Sequence, residues 1–389
     1  MSVPDKSNFT ALILVSGVDQ PGITSAVINK LAEFSIEILD IKQIIAGERL
    51  LQTILIKLIP DHAEAIEQDL IELGNQISAD IAIDFSQSAS LSADKLKAYF
   101  MLVERNLQPK RLAYLTDFIQ EVGGNILTMQ IEKIVDLTSL VFKAEFAFLD
   151  FESIKQQTKQ MALANNLDIY FDTELLNNGD RKLFVFDMDS TLIGEEVIDQ
   201  LAERAGVADQ VKAITQSAMA GSIDFAQSLI ERVTLLAGVS ISTLDEVGKA
   251  LTFNLGVNET IKAIKKAGHK VAVVSGGFID VIEKPLSDLV IDHIYANKLE
   301  IANGKLTGKL TGPIMDAQGK ASALKEAAKI ENIPLANTVV IGDGANDLEM
   351  MSISGHSFAY NGKQIVKEKS ESTISHPDMR ALLLFAGIN

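Results

Sequence analysis

The stretch KLFVFDMDSTLIGEE, Lys182 to Glu196, is the most informative part of this chain. It opens with the apolar run LFVF and then places Asp187 and Asp189 one residue apart. Near-continuous apolar runs are typical of strands buried in parallel sheets. Two carboxylates this close repel each other, and the end of an apolar strand is a costly place for charge. We therefore expect a compensating partner, and Mg²⁺, a hard cation that prefers oxygen ligands, is the obvious one.

Two further apolar runs end in polar or glycine-rich segments, KVAVVSGG at Lys270–Gly277 and NTVVIGDG at Asn337–Gly344. Helical stretches such as TIKAIKKAG, Thr260 to Gly268, lie between them. This alternation predicts a doubly wound α/β fold with a parallel sheet. In such folds the ligand binds outside the carboxyl ends of the strands. The side chains that follow the three runs are therefore expected to meet at one edge of the sheet.

Composition limits the class of protein. A chain of 389 residues exceeds one ordinary core, so two or three domains are expected. The sequence has neither a secretory signal pattern nor a run of about 18 apolar residues, which predicts no membrane helix. The lack of cysteine excludes disulfides and thiolate sites and suits a cytoplasmic location. A net charge of −17 argues against nucleic acid or an anionic membrane as partner.

The N-terminal half has the pattern of a duplication. With a constant offset of 88 residues and no gaps, Leu12 falls on Phe100 and Pro21 on Pro109, and apolar positions coincide at several further pairs, Leu14/Leu102, Leu31/Ile119, Phe34/Val122, Ile38/Ile126 and Leu39/Leu127. Each copy predicts a βαββ order closed by a helix and a strand, which makes a small α+β domain. The predicted domains are residues 1–90, residues 95–175 and residues 181–389, the last with a helical cap at about 197–255.

The segment SGVDQPGITSAV, Ser16 to Val27, resembles the ligand-binding turn of ACT domains, which are regulatory modules that often bind amino acids. Pro21 and Gly22 shape a turn into a helix N-terminus, whose free amides can hold a carboxylate. The resemblance implies that Asp19, Pro21 and Gly22 bind an amino-acid effector, with serine as the plausible feedback signal. A plain strand-to-helix turn is the alternative.

The second copy departs from this pattern, because it has Leu107 and Lys110 at the positions of Asp19 and Gly22. Its turn is less suited to the same ligand. We therefore expect this copy to serve packing or dimerisation, and the chain to form a homodimer.

Four motifs follow one another along the C-terminal half. They are the DMDST segment, a serine-glycine turn with Ser275 and Gly276, Lys320 in DAQGKASAL, and GDGANDLEM with Asp343, Asn346 and Asp347. In this order they resemble the haloacid dehalogenase-like superfamily, whose nucleophile motif is the first of them.

This resemblance implies hydrolysis through an aspartyl-phosphate. Asp187 would be the nucleophile, and Asp189 would protonate the leaving group and later activate water. Lys320 would pair with the phosphoryl oxygens. Mg²⁺ would be held by four aspartates, Asp187, Asp189 through its backbone carbonyl, Asp343 and Asp347 through water; the phosphate cradle would be completed by Ser275, Gly276 and Asn346.

The segment between the first two motifs contains SAMAGSIDFAQSLIERVTLL, Ser217 to Leu236, which resembles the cap of phosphoserine phosphatases. The resemblance implies that Glu196 holds the substrate ammonium and Arg232 its carboxylate, with Met219 and Phe225 as an apolar lid. The implied reaction is Mg²⁺-dependent hydrolysis of phosphoserine to serine, the final step of serine biosynthesis.

Two alternatives remain open from the sequence. Another phosphomonoesterase, or a phosphotransferase that uses a different alcohol acceptor, would share all the catalytic residues and differ in the cap. A catalytically inactive amino-acid sensor belongs to a different class, although the intact motifs speak against it. An Asn-Gly pair at 303–304 additionally predicts a β-hairpin beside the site.

Overall fold

The structure is a computed structural model that describes residues 9–87, 96–148, 150–219 and 222–388. The chain forms two compact units, residues 1–94 and residues 95–389. Within the described residues, no helix combines the length and the apolar character that a membrane span needs.

The first unit contains one four-stranded antiparallel sheet in the order β2-β3-β1-β4. Apolar side chains of the sheet pack against two helices and form a core around Ile13, Ile54 and Leu70. The elements are β1 (Phe9–Val18), α1 (Ile23–Leu31), β2 (Glu37–Ala46), β3 (Arg49–Lys57), α2 (Ala63–Ile77) and β4 (Ala79–Gln87).

The same architecture recurs at the start of the second unit. Its sheet has the order β6-β7-β5-β8, which matches the first strand for strand. The elements are β5 (Leu96–Glu104), α3 (Pro109–Glu121), β6 (Gly124–Ile134), β7 (Leu137–Phe146), α4 (Phe151–Asn165) and β8 (Asp168–Asp172). The predicted tandem α+β domains are confirmed.

The ungapped alignment of the two copies is wrong in the first strand. Ile13 pairs with Ile54 in the first sheet, and Phe100 pairs with Phe142 in the second. Ile54 and Phe142 are 88 positions apart, since 142 − 54 = 88, whereas Ile13 and Phe100 are 87 apart, since 100 − 13 = 87. Leu12 is therefore not the counterpart of Phe100. Successive strand residues face opposite sides of a sheet, so the extra residue in the turn before α3 restores the buried face.

A seven-stranded sheet follows in the order β12-β11-β10-β9-β13-β14-β15, parallel except for the edge strand β12. Its strands are β9 (Leu183–Phe186), β10 (Lys270–Phe278), β11 (His293–Ala302), β12 (Lys305–Thr311), β13 (Thr338–Gly342), β14 (His356–Tyr360) and β15 (Ser372–Ile374). The doubly wound α/β fold is confirmed.

Two sets of helices accompany this sheet. Four of them lie between β9 and β10 along the chain, where the sequence predicts the cap, namely α5 (Val197–Ala205), α6 (Ala208–Met219), α7 (Phe225–Thr234) and α8 (Ile241–Ala250). The others are α9 (Val257–Lys266), α10 (Ile279–Leu286), α11 (Ala317–Glu331), α12 (Leu348–Ile353), α13 (Gln364–Lys369) and α14 (Ala381–Ala386).

The strand order fixes where chemistry can occur. β9 lies at the centre of the sheet between β10 and β13, so the chain leaves it toward one side and returns on the other. This is the topological switch point at which open α/β sheets bind ligands. Three of the predicted motifs lie at the ends of these strands and therefore share one crevice, which Lys320 reaches from α11.

The predicted hairpin is present as β11 and β12. Asn303 and Gly304 form its turn with φ of 50° and 75°, the left-handed pair of a two-residue hairpin loop. The hairpin supports the cap, since the amide of Gly238 donates a hydrogen bond of 2.8 Å to the carbonyl of Leu306.

The second α+β copy packs against the edge of the seven-stranded sheet. The Asp168 carboxylate is buried and accepts hydrogen bonds from Thr373 Oγ1 at 2.7 Å and from the Ser375 amide at 2.8 Å. Burial raises the pKa of Asp168, although these hydrogen bonds oppose the shift. Tyr170 on β8 lies in the same core as Phe358 on β14. The sequence predicts a domain boundary between residues 175 and 181. Both sides of that boundary lie in the second compact unit, and the boundary stays a prediction.

Asp168→Ala should destabilise the second unit. The change leaves the buried Thr373 hydroxyl and the Ser375 amide without their acceptor, so the midpoint of thermal unfolding should fall by about 5 °C or more. Asp117→Ala is the control, because Asp117 is exposed on α3. Differential scanning fluorimetry of both variants provides the comparison. Equal midpoints would show that the Asp168 contacts contribute nothing to the packing of the two parts.

Candidate active site

A cavity of about 590 Å³ opens at the carboxyl ends of the central strands. The cap contributes one wall, and the end of β10 and the loops after β9 and β13 contribute others. Most of the predicted site residues line it, namely Asp187, Asp189, Glu196, Phe225, Arg232, Gly276, Asp343 and Asn346.

Lys320 lies behind this cavity between two carboxylates. Its Nζ donates to Asp187 Oδ1 at 2.7 Å and to Asp347 Oδ1 at 2.8 Å. Lys320 and Asp347 are 0% exposed and Asp187 is 3% exposed. Burial lowers the pKa of Lys320, but the two carboxylates outweigh it and raise this pKa above its ordinary value. The ammonium therefore stays charged and holds both aspartates in place.

Asp187 has a fixed orientation. Its amide donates to the Ile341 carbonyl at 2.9 Å, which ties the end of β9 to β13. Its Oδ1 also accepts a hydrogen bond from the Met188 amide at 2.8 Å. Burial and the nearby Asp347 raise the pKa of Asp187, against the effect of Lys320. A second cation beside this carboxyl would favour its ionised form.

Three carboxylates supply the ligands for such a cation. Oxygen atoms of Asp187, Asp343 and Asp347 lie within 4.8 Å of one another. Burial and Asp347 raise the pKa of Asp343 to about 6. Only glycine fits at position 342, because a Cβ there would lie 2.3 Å from Asp347 Oδ2. The all-oxygen donor set fits a hard divalent cation.

Asp189 lies in a different environment from Asp187. Ser190 has a φ of 58°, and this left-handed residue turns the chain sharply after the strand. Asp189 Oδ1 accepts a hydrogen bond from the Val197 amide at 3.1 Å. Burial, followed by the negative charge of Glu196, raises the pKa of Asp189 to about 7. A carboxyl group with this pKa can both donate and accept a proton near neutral pH.

The last residues of β10, rather than a turn after it, form another wall of the cavity. Gly276 and Gly277 line the cavity, whereas Ser275 is fully buried. Ser275 Oγ accepts a hydrogen bond from the Gly277 amide at 2.8 Å, so its hydroxyl hydrogen is what it can offer a phosphate oxygen. Asn346, in the short turn before α12, also lines the cavity. Gly276 and Asn346 thus line the cavity while Ser275 lies buried beside them, and their role as a phosphate cradle stays a prediction.

The predicted substrate-binding residues Glu196 and Arg232 lie on the cap side of the cavity. Glu196 accepts a hydrogen bond from Ser190 Oγ at 3.1 Å. Arg232 Nε donates to the Ser228 carbonyl at 3.2 Å, which leaves its terminal nitrogens for a ligand. Burial lowers the pKa of Arg232, although Asp199 and Glu196 oppose this. One anion and one cation therefore face the same cavity.

Phe225, one of the two predicted lid residues, lines the cavity. The ring of Phe225 approaches the phosphate side, since its Cζ lies 3.5 Å from where a Cβ on Gly276 would stand. Met219 is the last residue of α6, and its side chain lies outside the described part of the chain.

Sequence reasoning missed several residues that line the cavity, among them Asp199, Ser228 and Lys363. Asp199 lies one helical turn after Glu196, a spacing that places neighbours on one face. Lys363 follows the strand HSFAY, and the rule that sites form at strand ends applies to this strand as well.

The predicted regulatory turn belongs to the first unit. Gly22 has a φ of 103° and is the N-cap of α1, without a side-chain cap on the helix amides. The Asp19 amide donates to the Glu48 carbonyl at 2.8 Å. Pro21 lies in the turn between them. Binding of an effector by these three residues stays a prediction.

Lys320→Met should destabilise the protein in the presence of EDTA. The variant leaves Asp187 and Asp347 buried without their cation, which costs about 3 to 5 kcal/mol of unfolding free energy. Adding Asp347→Asn should restore part of the loss. Lys325→Met, on the exposed side of the same helix, is the control. Urea unfolding measures the free energy of unfolding of the single, double and control variants. A Lys320→Met variant as stable as the wild type would contradict the central role given to this ion pair.

Comparison with known proteins agrees with this geometry. Residues 184–352 match the family model of haloacid dehalogenase-like hydrolases, and residues 10–84 match the ACT domain model. Phosphoserine phosphatase SerB2 of Mycobacterium tuberculosis is 33% identical over 381 residues, covering 97% of this chain and 93% of that protein.

Solved structures show the same relationship. A haloacid dehalogenase family hydrolase from Salmonella enterica serovar Typhi matches with a TM-score of 0.65 and 27% identity over 75% of this chain and 98% of its own. A phospho-aspartyl intermediate analogue of phosphoserine phosphatase is 43% identical, with a TM-score of 0.50, over 52% of this chain and 98% of its own. Because the relative from M. tuberculosis is similar along almost the whole of both sequences, the chain belongs to the phosphoserine phosphatase family of haloacid dehalogenase-like hydrolases.

Proposed function

We propose that this protein hydrolyses O-phospho-L-serine to L-serine and inorganic phosphate with Mg²⁺ as cofactor. The observation that carries the proposal is the content of one cavity. This cavity brings together three features. They are the buried nucleophile candidate Asp187, which Lys320 holds, a cluster of three carboxylates, and the opposite charges of Glu196 and Arg232. The relatives named phosphoserine phosphatase support the same substrate.

In the first step, an oxygen of Asp187 forms a bond to phosphorus while the bond to the serine oxygen breaks. The leaving alkoxide takes a proton from Asp189, whose pKa of about 7 lets it hold that proton near neutral pH. Lys320 and the Met188 amide keep the Asp187 carboxyl oriented for the attack. The products are free serine and a phosphorylated Asp187.

In the second step, water attacks phosphorus and the bond between phosphorus and Asp187 breaks. Asp189, now ionised, accepts the proton of that water, and it is then ready for the next cycle. The site's donors, Lys320, Ser275, Gly276 and Asn346, are proposed to face the phosphoryl oxygens and to stabilise their charge. Asp187, Asp343, Asp347 and the Asp189 carbonyl would hold Mg²⁺, which supplies electrostatic stabilisation when bound.

Recognition of serine is assigned to the cap side. A zwitterion needs one anion and one cation, and Glu196 and Arg232 meet that need across a small cavity. Arg can grip a carboxylate with two parallel hydrogen bonds, which fixes its orientation. The ring of Phe225 and the side chain of Met219 are proposed to cover the substrate.

The first α+β unit is proposed to bind an amino-acid effector at the turn formed by Asp19, Pro21 and Gly22. The match to the ACT domain model supports this assignment. A homodimer in the cytoplasm is the proposed working form. The second copy is proposed to contribute packing, since its Asp168 anchors β15.

Asp187→Asn should abolish phosphate release from O-phospho-L-serine, lowering kcat by about a thousandfold or more, because an amide cannot act as the nucleophile. The wild-type protein should release phosphate with Mg²⁺ and none with EDTA. Asp117→Asn, on the exposed face of α3, is the control. A phosphate assay with thermal unfolding as the folding check decides the matter. If the wild type released no phosphate, or passed it only to an added alcohol such as homoserine, hydrolysis would be the wrong assignment.

Arg232→Ala should raise KM for O-phospho-L-serine at least tenfold while changing KM for phosphoethanolamine less than about threefold, because only the first substrate carries a carboxylate. Arg204→Ala is the matched control, since Arg204 is an exposed arginine on the cap helix α5. Steady-state kinetics with both substrates separate a loss of carboxylate binding from a general loss of activity. Equal losses on both substrates would remove Arg232 from carboxylate recognition.

A further inference from the structure

The cavity has an excess of negative charge. Five carboxylic side chains line it, against two basic ones, Arg232 and Lys363. The chain as a whole carries a net charge of −17. Mg²⁺ on the acidic cluster would offset part of this charge inside the site. A phosphate monoester is itself an anion, so a cation at the mouth would favour its approach from solvent.

The other cations at the site are already engaged. Lys320 is 0% exposed and donates to two aspartates, so it lies at the bottom of the site and is not available to an anion at the mouth. Arg232 lies on the cap and faces Glu196 and Asp199, on the side assigned to the serine part of the substrate. Lys363 is therefore the basic lining residue that remains for the phosphate side of the cavity mouth.

The backbone of Lys363 is fixed beside the acidic cluster. Its amide donates to the Asp343 carbonyl at 3.0 Å, and it caps helix α13. Two residues earlier, the Asn361 amide donates to the Ile374 carbonyl at 2.9 Å, which ties the loop to β15. The base of the side chain is therefore held at a constant distance from Asp343.

The side chain of Lys363, in contrast, is exposed and free. It forms no hydrogen bond or ion pair in the described part of the chain, yet it lines the cavity. Its charge also lowers the pKa of Asp343, in opposition to burial and Asp347. A long, uncommitted ammonium group on a rigid base is suited to reach a phosphate at the entrance.

We infer that Lys363 is a positioning residue that draws the phosphoryl group of the substrate into the site and orients it toward the nucleophile. This inference rests on the proposed phosphatase function. It assigns to Lys363 the encounter with the dianion and not the chemical step. The same charge should hold the product, inorganic phosphate, which carries the same group.

Lys363→Gln tests the inference against Lys369→Gln, which removes an equal charge from an exposed position on α13 outside the cavity. For O-phospho-L-serine at low ionic strength, kcat/KM of Lys363→Gln should fall about three- to tenfold, with less than a twofold fall in kcat. The fall should shrink to under about twofold in 0.5 M salt, since the Debye length is then about 4 Å. Inhibition by inorganic phosphate should weaken in parallel, and Lys363→Arg should retain wild-type values.

Three results would overturn the role of Lys363: wild-type kcat/KM in Lys363→Gln, an equal fall in Lys369→Gln, or a fall that high salt leaves unchanged. If the wild-type protein released no phosphate from O-phospho-L-serine, the proposed function would fail instead. In that case, calorimetric titration of the wild type and Lys363→Gln with inorganic phosphate tests the role of Lys363 separately. Equal affinities of the two proteins for phosphate would overturn that role.

Discussion

The ion pair of Lys320 with Asp187 and Asp347 is the constraint on which the site depends. It brings three charges into a region with almost no solvent exposure, and each would be unfavourable there alone. The pair joins three elements, because Asp187 follows β9, Lys320 lies on α11, and Asp347 follows β13. The fold therefore determines the distance between these groups, and the groups in turn hold the ends of the central strands together.

The same arrangement places Asp187 and Asp189, which are one residue apart, in different environments. Asp187 continues the direction of β9 and lies against Lys320, whereas the sharp turn at Ser190 leaves Asp189 bonded to the start of the cap. Burial and Glu196 raise the pKa of Asp189 without a compensating salt bridge. This difference supports the proposed roles, Asp187 as nucleophile and metal ligand and Asp189 as proton carrier. Glu196, at the start of the cap, raises the pKa of Asp189 and is also the residue proposed to bind the ammonium group of serine.

Much of this could be predicted from the sequence, because the site residues follow apolar strands of a recognisable type. A parallel sheet brings the carboxyl ends of its strands to one edge, so the motifs after β9, β10 and β13 had to meet. Other features depend on contacts between distant residues or on single insertions. The bond between Asp168 and Thr373 spans 205 positions, and the extra residue before α3 changes no apolar pattern visibly. Lys363 was missed because nothing in NGKQ distinguishes it from a solvated loop lysine until β14 is placed in the sheet.

The most direct test of the account is a rapid-quench experiment with O-phospho-L-serine labelled on phosphorus, in enzyme excess and with Mg²⁺. Acid quenching within a single turnover should trap label on the protein, and peptide mapping should place it on Asp187 as a hydroxylamine-sensitive acyl phosphate. Label on another residue would contradict the account, as would full conversion to phosphate with no labelled protein at any time. Either result would mean that the Lys320 ion pair holds a carboxylate that is not the nucleophile.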